Sequence, residues 1–339
     1  MTISYDASMA QVQMTLSAIA YTPDSNGGAS PTPGDITTEL SKTGYATGGE
    51  WSLAWGPGYS TYDDNMMYVV QKTPGTYSLV IRGTQFNSLT SWFEDFPTGM
   101  TDVSAWTGGD VAGTTPYVSD KFYTAITTLM TTPGPVAATG QTMDLAAFLD
   151  GLASANSSLT LYITGHSQGG GLAPVLLAWL ISHAAANWPS TDATMIGYGF
   201  APPTSGGANF ASWVKGNPDG GKSGNASASF LVKNPNDIVP FAYDQIMSIW
   251  LDGVPIAVTD HTERDAIIAA ALGAVALAGS YKTVWAQAGE VTILPSEADP
   301  EGGSYFSQVE AQHNHNSYLI LLGAPPTDIP SKSPLTPPS

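Results

Sequence analysis

The chain has no cysteine among its 339 residues, which excludes a disulfide framework, a thiolate metal site and a cysteine nucleophile. Basic residues are scarce: 10 Lys and Arg stand against 28 Asp and Glu, for a formal net charge of −18. Such a surface repels polyanions, so nucleic acid is not an expected partner, nor is electrostatic attraction to an anionic membrane. Charged residues of either sign make up only 11% of the chain. The neutral, hydroxyl-rich remainder is of the kind exported proteins carry, and composition points to secretion. The N-terminus, Met1-Thr-Ile-Ser-Tyr-Asp-Ala7, has neither the basic nor the apolar stretch of a signal peptide, which leaves a cytoplasmic chain or a signal already removed. The longest apolar run, Ala266 to Gly279, is too short to cross a bilayer and is read as a core or interfacial helix, so no transmembrane segment is expected.

What the chain does have is apolar content, 42%, enough for one enlarged domain. Apolar residues at helical spacing run from Ser8 to Tyr21, followed by a loop rich in Gly, Pro and Ser from Thr22 to Asp35. Met66 to Gln71 and Tyr77 to Arg82 are β-rich runs around Thr73-Pro-Gly75, a predicted hairpin. Asp120 to Met130 and Met143 to Ala155 read as helices, Leu159 to Thr164 as a buried strand, and Gln168 to Ala186 as a helix rich in Ala and Leu. Thr194 to Phe200 and Ser229 to Lys233 are further buried strands. Strands alternating with helices predict an α/β fold, with a mostly parallel sheet and helices on both faces.

The stretch from Phe241 to Gln312 is less regular, with the apolar Ile246 to Leu251, a capping box at Thr262-Glu-Arg-Asp265 and an acidic Gly-rich loop. It is read as a cap insertion over the site. The prolines at 325, 326, 330, 334, 337 and 338 make residues 324–339 a tail, extended or disordered, after a single domain spanning 1–323.

Chemistry is concentrated at Gly165-His166-Ser167-Gln168-Gly169, a Gly-x-Ser-x-Gly sequence directly after a predicted strand and directly before a predicted helix. A serine on so tight a turn projects its hydroxyl from the sheet edge, the flanking glycines make room for the turn, and the helix N-terminus behind it offers N–H groups to a developing oxyanion. A chain with 36 glycines produces this pattern by chance too, but the strand, turn and helix fall in the order the chemistry requires. Ser167 is therefore the candidate nucleophile, and His166 is assigned to packing. A hydroxyl needs a base, and in this arrangement an acid and then a histidine follow downstream. Asp237, in Asn234-Pro-Asn-Asp-Ile-Val-Pro240 behind a strand, is the candidate acid, an ordinary turn aspartate being the bland alternative. Of the five histidines, His166 lies in the turn, His183 in the helix after it and His261 before the capping box. His313 and His315 remain, both in the polar loop Gln312-His-Asn-His-Asn-Ser-Tyr318. One of the two accepts the Ser167 proton while its other ring nitrogen donates to Asp237. A His-x-His pair also suits a metal, but no Cys or carboxylate cluster completes a ligand set, so neither metal nor cofactor is expected.

These segments resemble the class 3 lipase family, the fungal-type triacylglycerol lipases and their bacterial relatives. The likeness rests on Leu79-Val-Ile-Arg-Gly-Thr84, Ile163-Thr-Gly-His-Ser-Gln-Gly-Gly170, Gly197-Tyr-Gly-Phe-Ala-Pro202 with Asn234 to Pro240, and His315-Asn-Ser-Tyr318. The resemblance implies an α/β-hydrolase fold, oxyanion contacts from Thr84 and from the backbone of Gln168, Asp237 as the acid, and His315 rather than His313 as the base, with His313 the alternative. It also implies a lid near Phe86 to Phe93 with Trp92 as its aromatic, though aromatics at that spacing equally suit a core-facing helix. Departures are Gln168 where the family has an apolar residue, the lack of cysteine, and the long segment between Asp237 and His315.

The expected function is hydrolysis of carboxylic esters through an acyl-enzyme, with a triacylglycerol lipase ahead of an esterase for short-chain or aromatic esters. A catalytically silent lipid- or surface-binding protein is the reading from another class. The expected partners are the ester substrate and a transient lipid interface.

Overall fold

The computed structural model describes residues 3–60, 65–83, 99–217, 220–245, 285–295, 304–331 and 334–335, together with Thr262, Asp265 and Ala269. Its centre is a sheet of seven strands lying side by side in sequence order. These are β1 (Ser52–Tyr59), β2 (Met66–Thr73), β3 (Thr76–Ile81), β4 (Ser158–His166), β5 (Asp192–Phe200), β6 (Ala226–Lys233) and β7 (Glu290–Ile293). The first three pair antiparallel, and every pairing from β3 to β7 is parallel.

Strand periodicity explains how the sheet is covered. In β2 and β3, Met67, Val69, Leu79 and Ile81 point to one face, while Met66, Tyr68, Val70 and Val80 point to the other, and all are buried. The first face carries α3 (Asp120–Thr131), α4 (Leu145–Ala155) and α5 (Gln168–Asn187). Helix α5 has the length and apolarity of a membrane span, but most of it is buried here in the core. Its Leu172, Val175, Leu176, Leu180 and Ile181 are all at most 1% exposed, each side chain contributing about 1.5–3 kcal/mol of burial. The opposite face carries α1 (Ala7–Ile19), started by the Asp6 side chain accepting from Met9 N–H, and α2 (Pro33–Leu40), started by a Thr32–Asp35 capping box. Further along the chain come α6 (Ala208–Lys215), α7 (Tyr305–His313) and α8 (His315–Leu321), with α8 packing beside α1 on the second face.

Several sequence expectations change. The loop expected through Asp35 ends at Pro33, because Thr32 followed by Pro and Asp35 starts a helix. The first strand was not foreseen, because Trp-Gly-Pro-Gly at 55–58 interrupts its alternation and shifts its register. The stretch from Phe241 to Gln312 is not all insertion. Glu290–Ile293 adds to the edge of the main sheet beside β6, Trp285–Ala286 pairs with Gly206–Gly207, and α7 begins at Tyr305. Ile246 to Leu251 and nearly all of the segment from the capping box to Gly279 lie outside the described residues.

The C-terminal tail is extended, but its described part is docked rather than disordered. Thr327, Ile329 and Leu335 are buried, Asn316 exchanges hydrogen bonds with Thr327, and Leu335 N–H donates to Ser317 Oγ. Asp328 meets Lys42 and Tyr45 at the far side.

Candidate active site

Ser167 stands between β4 and α5 with φ 61° and ψ −129°, a left-handed conformation that costs a residue with a side chain about 1–3 kcal/mol. The surrounding backbone holds it there. Its N–H donates to the Phe200 carbonyl at 2.9 Å, and its carbonyl accepts the Gly171 N–H at 3.1 Å. The turn fits only because its neighbours lack side chains: a Cβ on Gly165 would lie 2.5 Å from the Gly169 carbonyl oxygen and 2.7 Å from that of Ile81. Gln168, the first residue of α5, stands at a helix N-terminus, where the positive end of the dipole favours an anion.

Asp237 lies in the loop after β6 and is fully buried. Asn234 shapes that loop: its carbonyl accepts the Asp237 N–H at 3.1 Å and its side-chain oxygen accepts the Asn236 N–H at 3.0 Å. The Asn234 amide also donates to the Gln312 carbonyl at 2.9 Å, tying the acid loop to the residue before His313. Both carboxylate oxygens accept hydrogen bonds. Oδ1 accepts the Val239 N–H at 3.0 Å, and Oδ2 accepts both the Tyr318 hydroxyl at 2.8 Å and a ring nitrogen of His313 at 2.8 Å.

His313 connects the two. Its Nδ1 faces Asp237 Oδ2, and its Nε2 lies 2.9 Å from Ser167 Oγ. A carboxylate only accepts, so the ring proton sits on Nδ1 and the Nε2 lone pair is turned to the serine hydroxyl. With Ser167 and Asp237 fully buried and His313 at 4% exposure, this chain is screened from bulk water, where such interactions are weak.

The structure thus brings His313, and not His315, to Ser167 and Asp237. Asn314 ends α7 and caps α8 in an extended conformation, φ −63° and ψ 138°, so the chain turns between the two histidines. His313 meets Ser167, whereas the His315 ring stacks on Tyr21 with centroids 5.4 Å apart and planes 11° apart. Burial pushes the His315 imidazole down to about 4, which keeps it neutral at ordinary pH. His166 packs as expected from its place in the turn, its ring centroid 4.8 Å from that of His313 and its imidazole held by burial well below the usual histidine range.

The sequence presents Tyr318 only as the aromatic behind the histidine pair, and Tyr21 only as the end of a helix. The spacing in His-Asn-His-Asn-Ser-Tyr is a signal for the first. Nothing local signals the second. Thr84 and the lid candidates Phe86, Trp92 and Phe93 lie outside the described residues. Among the described residues no group of three His, Cys, Asp or Glu side chains is arranged to hold a metal ion.

Comparisons with known proteins bear on the family and the fold. The class 3 lipase family profile matches residues 78–245, the stretch that contains both Ser167 and Asp237. Among solved structures, M37 lipase is similar over 94% of this chain and 94% of its own, with a TM-score of 0.74 and 23% identity, which establishes a shared fold. Lipase II from Rhizopus niveus is similar over 70% of this chain and 76% of its own, with a TM-score of 0.46 and 19% identity. No curated protein matches the sequence. On the family match, residues 78–245 belong to the class 3 lipase family of carboxylic ester hydrolases, within a chain that shares the fold of a lipase.

Proposed function

We propose that the protein is a lipase that hydrolyses the ester bonds of acylglycerols, with Ser167 as nucleophile, His313 as general base and then acid, and Asp237 as the group that holds the imidazolium. The observation that carries this reading is the buried hydrogen-bonded chain Ser167–His313–Asp237, with links of 2.9 and 2.8 Å. As the Ser167 oxygen attacks the ester carbonyl, Nε2 of His313 takes its proton, and Asp237 offsets the positive charge that forms. The carbonyl oxygen gathers negative charge beside the N-terminus of α5, where the Gln168 N–H donates to it, with Thr84 as the second donor by family resemblance. The alcohol leaves with the His313 proton. Water then enters, loses a proton to the same nitrogen and releases the acid. No metal or cofactor has a role in these steps. An extracellular location fits the reading through the low charged fraction, 11%, and the hydroxyl-rich remainder of the chain.

The test is hydrolysis of p-nitrophenyl esters from acetate to palmitate, and of emulsified triacylglycerol, with Ser167→Ala as control. Cleavage of long chains and of the emulsion, absent from the control, supports the lipase. Activity confined to short esters makes the protein an esterase, and no activity with lipid present favours a silent lipid-binding protein.

A further inference from the structure

The turn before Ser167, the strand end at Gly83 and the loop carrying His313 meet beside the site, and one side chain from outside all three touches each of them. Tyr21 closes the N-terminal helical region, ahead of the segment matched by the family profile. Its hydroxyl donates to the His166 carbonyl oxygen at 3.3 Å and lies 3.2 Å from Nδ1 of the same residue, in a hydrogen bond whose direction follows the His166 tautomer, so it is tied twice to the residue before Ser167. The backbone of Gly83 hydrogen-bonds the same phenol oxygen, and Gly83 is the residue that precedes Thr84. Position 83 admits only glycine here, because a Cβ would run into the Tyr21 hydroxyl and the His166 carbonyl. On its other side the Tyr21 ring stacks flat on His315, two residues beyond His313. It also meets the His166 ring edge-on, with centroids 5.8 Å apart.

We infer that Tyr21 is a positioning residue for acyl transfer, which holds the turn before Ser167, the strand end at Gly83 and the loop carrying His313 in one register. The inference rests on the Ser167–His313–Asp237 reading above. The physical reason is that attack geometry tolerates little error, and a shift of about 1 Å costs on the order of 100-fold in rate. Ser167 is fixed by β5 and the start of α5, and Asp237 by its own turn, but the His313 turn has to be registered against both. A phenol that donates to the serine turn and stacks behind the histidine turn does this without touching substrate. Tyr21 stays protonated at any pH at which the protein is active, because burial pushes its phenol up, so the donor is always present.

The experiment compares the full-length chain with Tyr21→Phe, which keeps the ring and removes the hydroxyl, and Tyr21→Leu, which removes both. Competent sites are counted by titration with a phosphonate ester that labels Ser167, so that kcat is expressed per active serine and partial misfolding drops out. The substrates are an alkyl ester, whose alkoxide cannot leave without the His313 proton, and the matching p-nitrophenyl ester, whose phenolate can. The expected result is a roughly 10- to 100-fold fall in kcat for Tyr21→Phe on the alkyl ester, a smaller fall on the p-nitrophenyl ester, KM nearly unchanged on both, and a larger fall in kcat for Tyr21→Leu. Equal falls on both esters, or a kcat per labelled serine equal to that of the unaltered chain, overturn the inference. An unaltered chain that cleaves neither ester overturns instead the triad reading on which it rests.

Discussion

Nε2 of His313 lies 2.9 Å from Oγ of Ser167, across 146 residues of sequence. That contact makes the catalytic assignment a quantitative claim. Substituting Ser167 or His313 by alanine should each cost on the order of 10⁶ in kcat, as for other serine hydrolases whose triad acts as a unit. His315→Phe, which keeps a ring against Tyr21, should stay within roughly tenfold of the unaltered protein. The check is ester hydrolysis by the three purified variants. A dead His315→Phe variant beside an active His313→Ala variant would reverse the assignment.

Tyr318 donates to the oxygen of Asp237 that also receives His313, and its own oxygen accepts the Asn234 N–H at 3.0 Å. Tyr318→Phe should therefore strip a donor from a buried carboxylate and leave a buried N–H without its acceptor, a cost of about 1–3 kcal/mol in stability. The His313 ring would lose part of its anchoring with it. The expected outcome is a lower urea midpoint together with a fall in kcat of about tenfold at nearly constant KM.

The glycine turn should tolerate no side chain. Gly165→Ala would press a methyl group against the carbonyls of Gly169 and Ile81, which are backbone atoms of a strand and a helix and cannot swing aside. Overpacking of this kind costs about 1–3 kcal/mol or more. Thermal unfolding should show a marked loss of stability, and the protein that does fold should have lost activity through displacement of Ser167. A variant with unchanged melting and activity would count against the close packing described.

Stability should fall on mild acidification. The imidazole of His315 is pushed from 6.5 down to about 4 by burial, and that of His166 is lowered as well. Between these values the unfolded chain binds protons that the folded chain does not, so folding stability is lost as pH falls from about 6.5 toward 4, at up to about 1.4 kcal/mol per pH unit for each group. Urea titrations at pH 7 and pH 5 measure this directly. His315→Phe should show a shallower dependence, and an unchanged slope would contradict the burial of that imidazole.

The docked tail makes a last prediction. Ile329 is 3% exposed and lies in the hydrophobic cluster of α2, β2 and β3, so Ile329→Ala should destabilise the fold by about 2–5 kcal/mol. Differential melting of the full chain and the variant tests it. A truly disordered tail would give no difference.

Much of the site was legible in the sequence because its pieces are local. Strand, Gly-x-Ser-x-Gly turn and helix are contiguous, so Ser167 and the Gln168 N–H follow from one stretch of chain. Asp237 follows from a polar turn behind a buried strand, and the parallel sheet follows from strands alternating with helices. The choice between His313 and His315 was different in kind. The two lie two residues apart in the same polar segment, and only the extended backbone of Asn314 between two helices aims one at Ser167 and the other at Tyr21. The short strand at Glu290–Ile293 carries no strong pattern of its own and is defined by the neighbour it pairs with, β6. Tyr21 and Tyr318 acquire their roles only through partners 145 and 81 residues away. The sequence by itself determined the candidate nucleophile, the candidate acid and the sheet, since short-range backbone geometry and periodicity are written in adjacent residues. The tertiary structure alone decided which histidine meets Ser167 and what holds it there, since those depend on contacts between distant segments that no local pattern encodes.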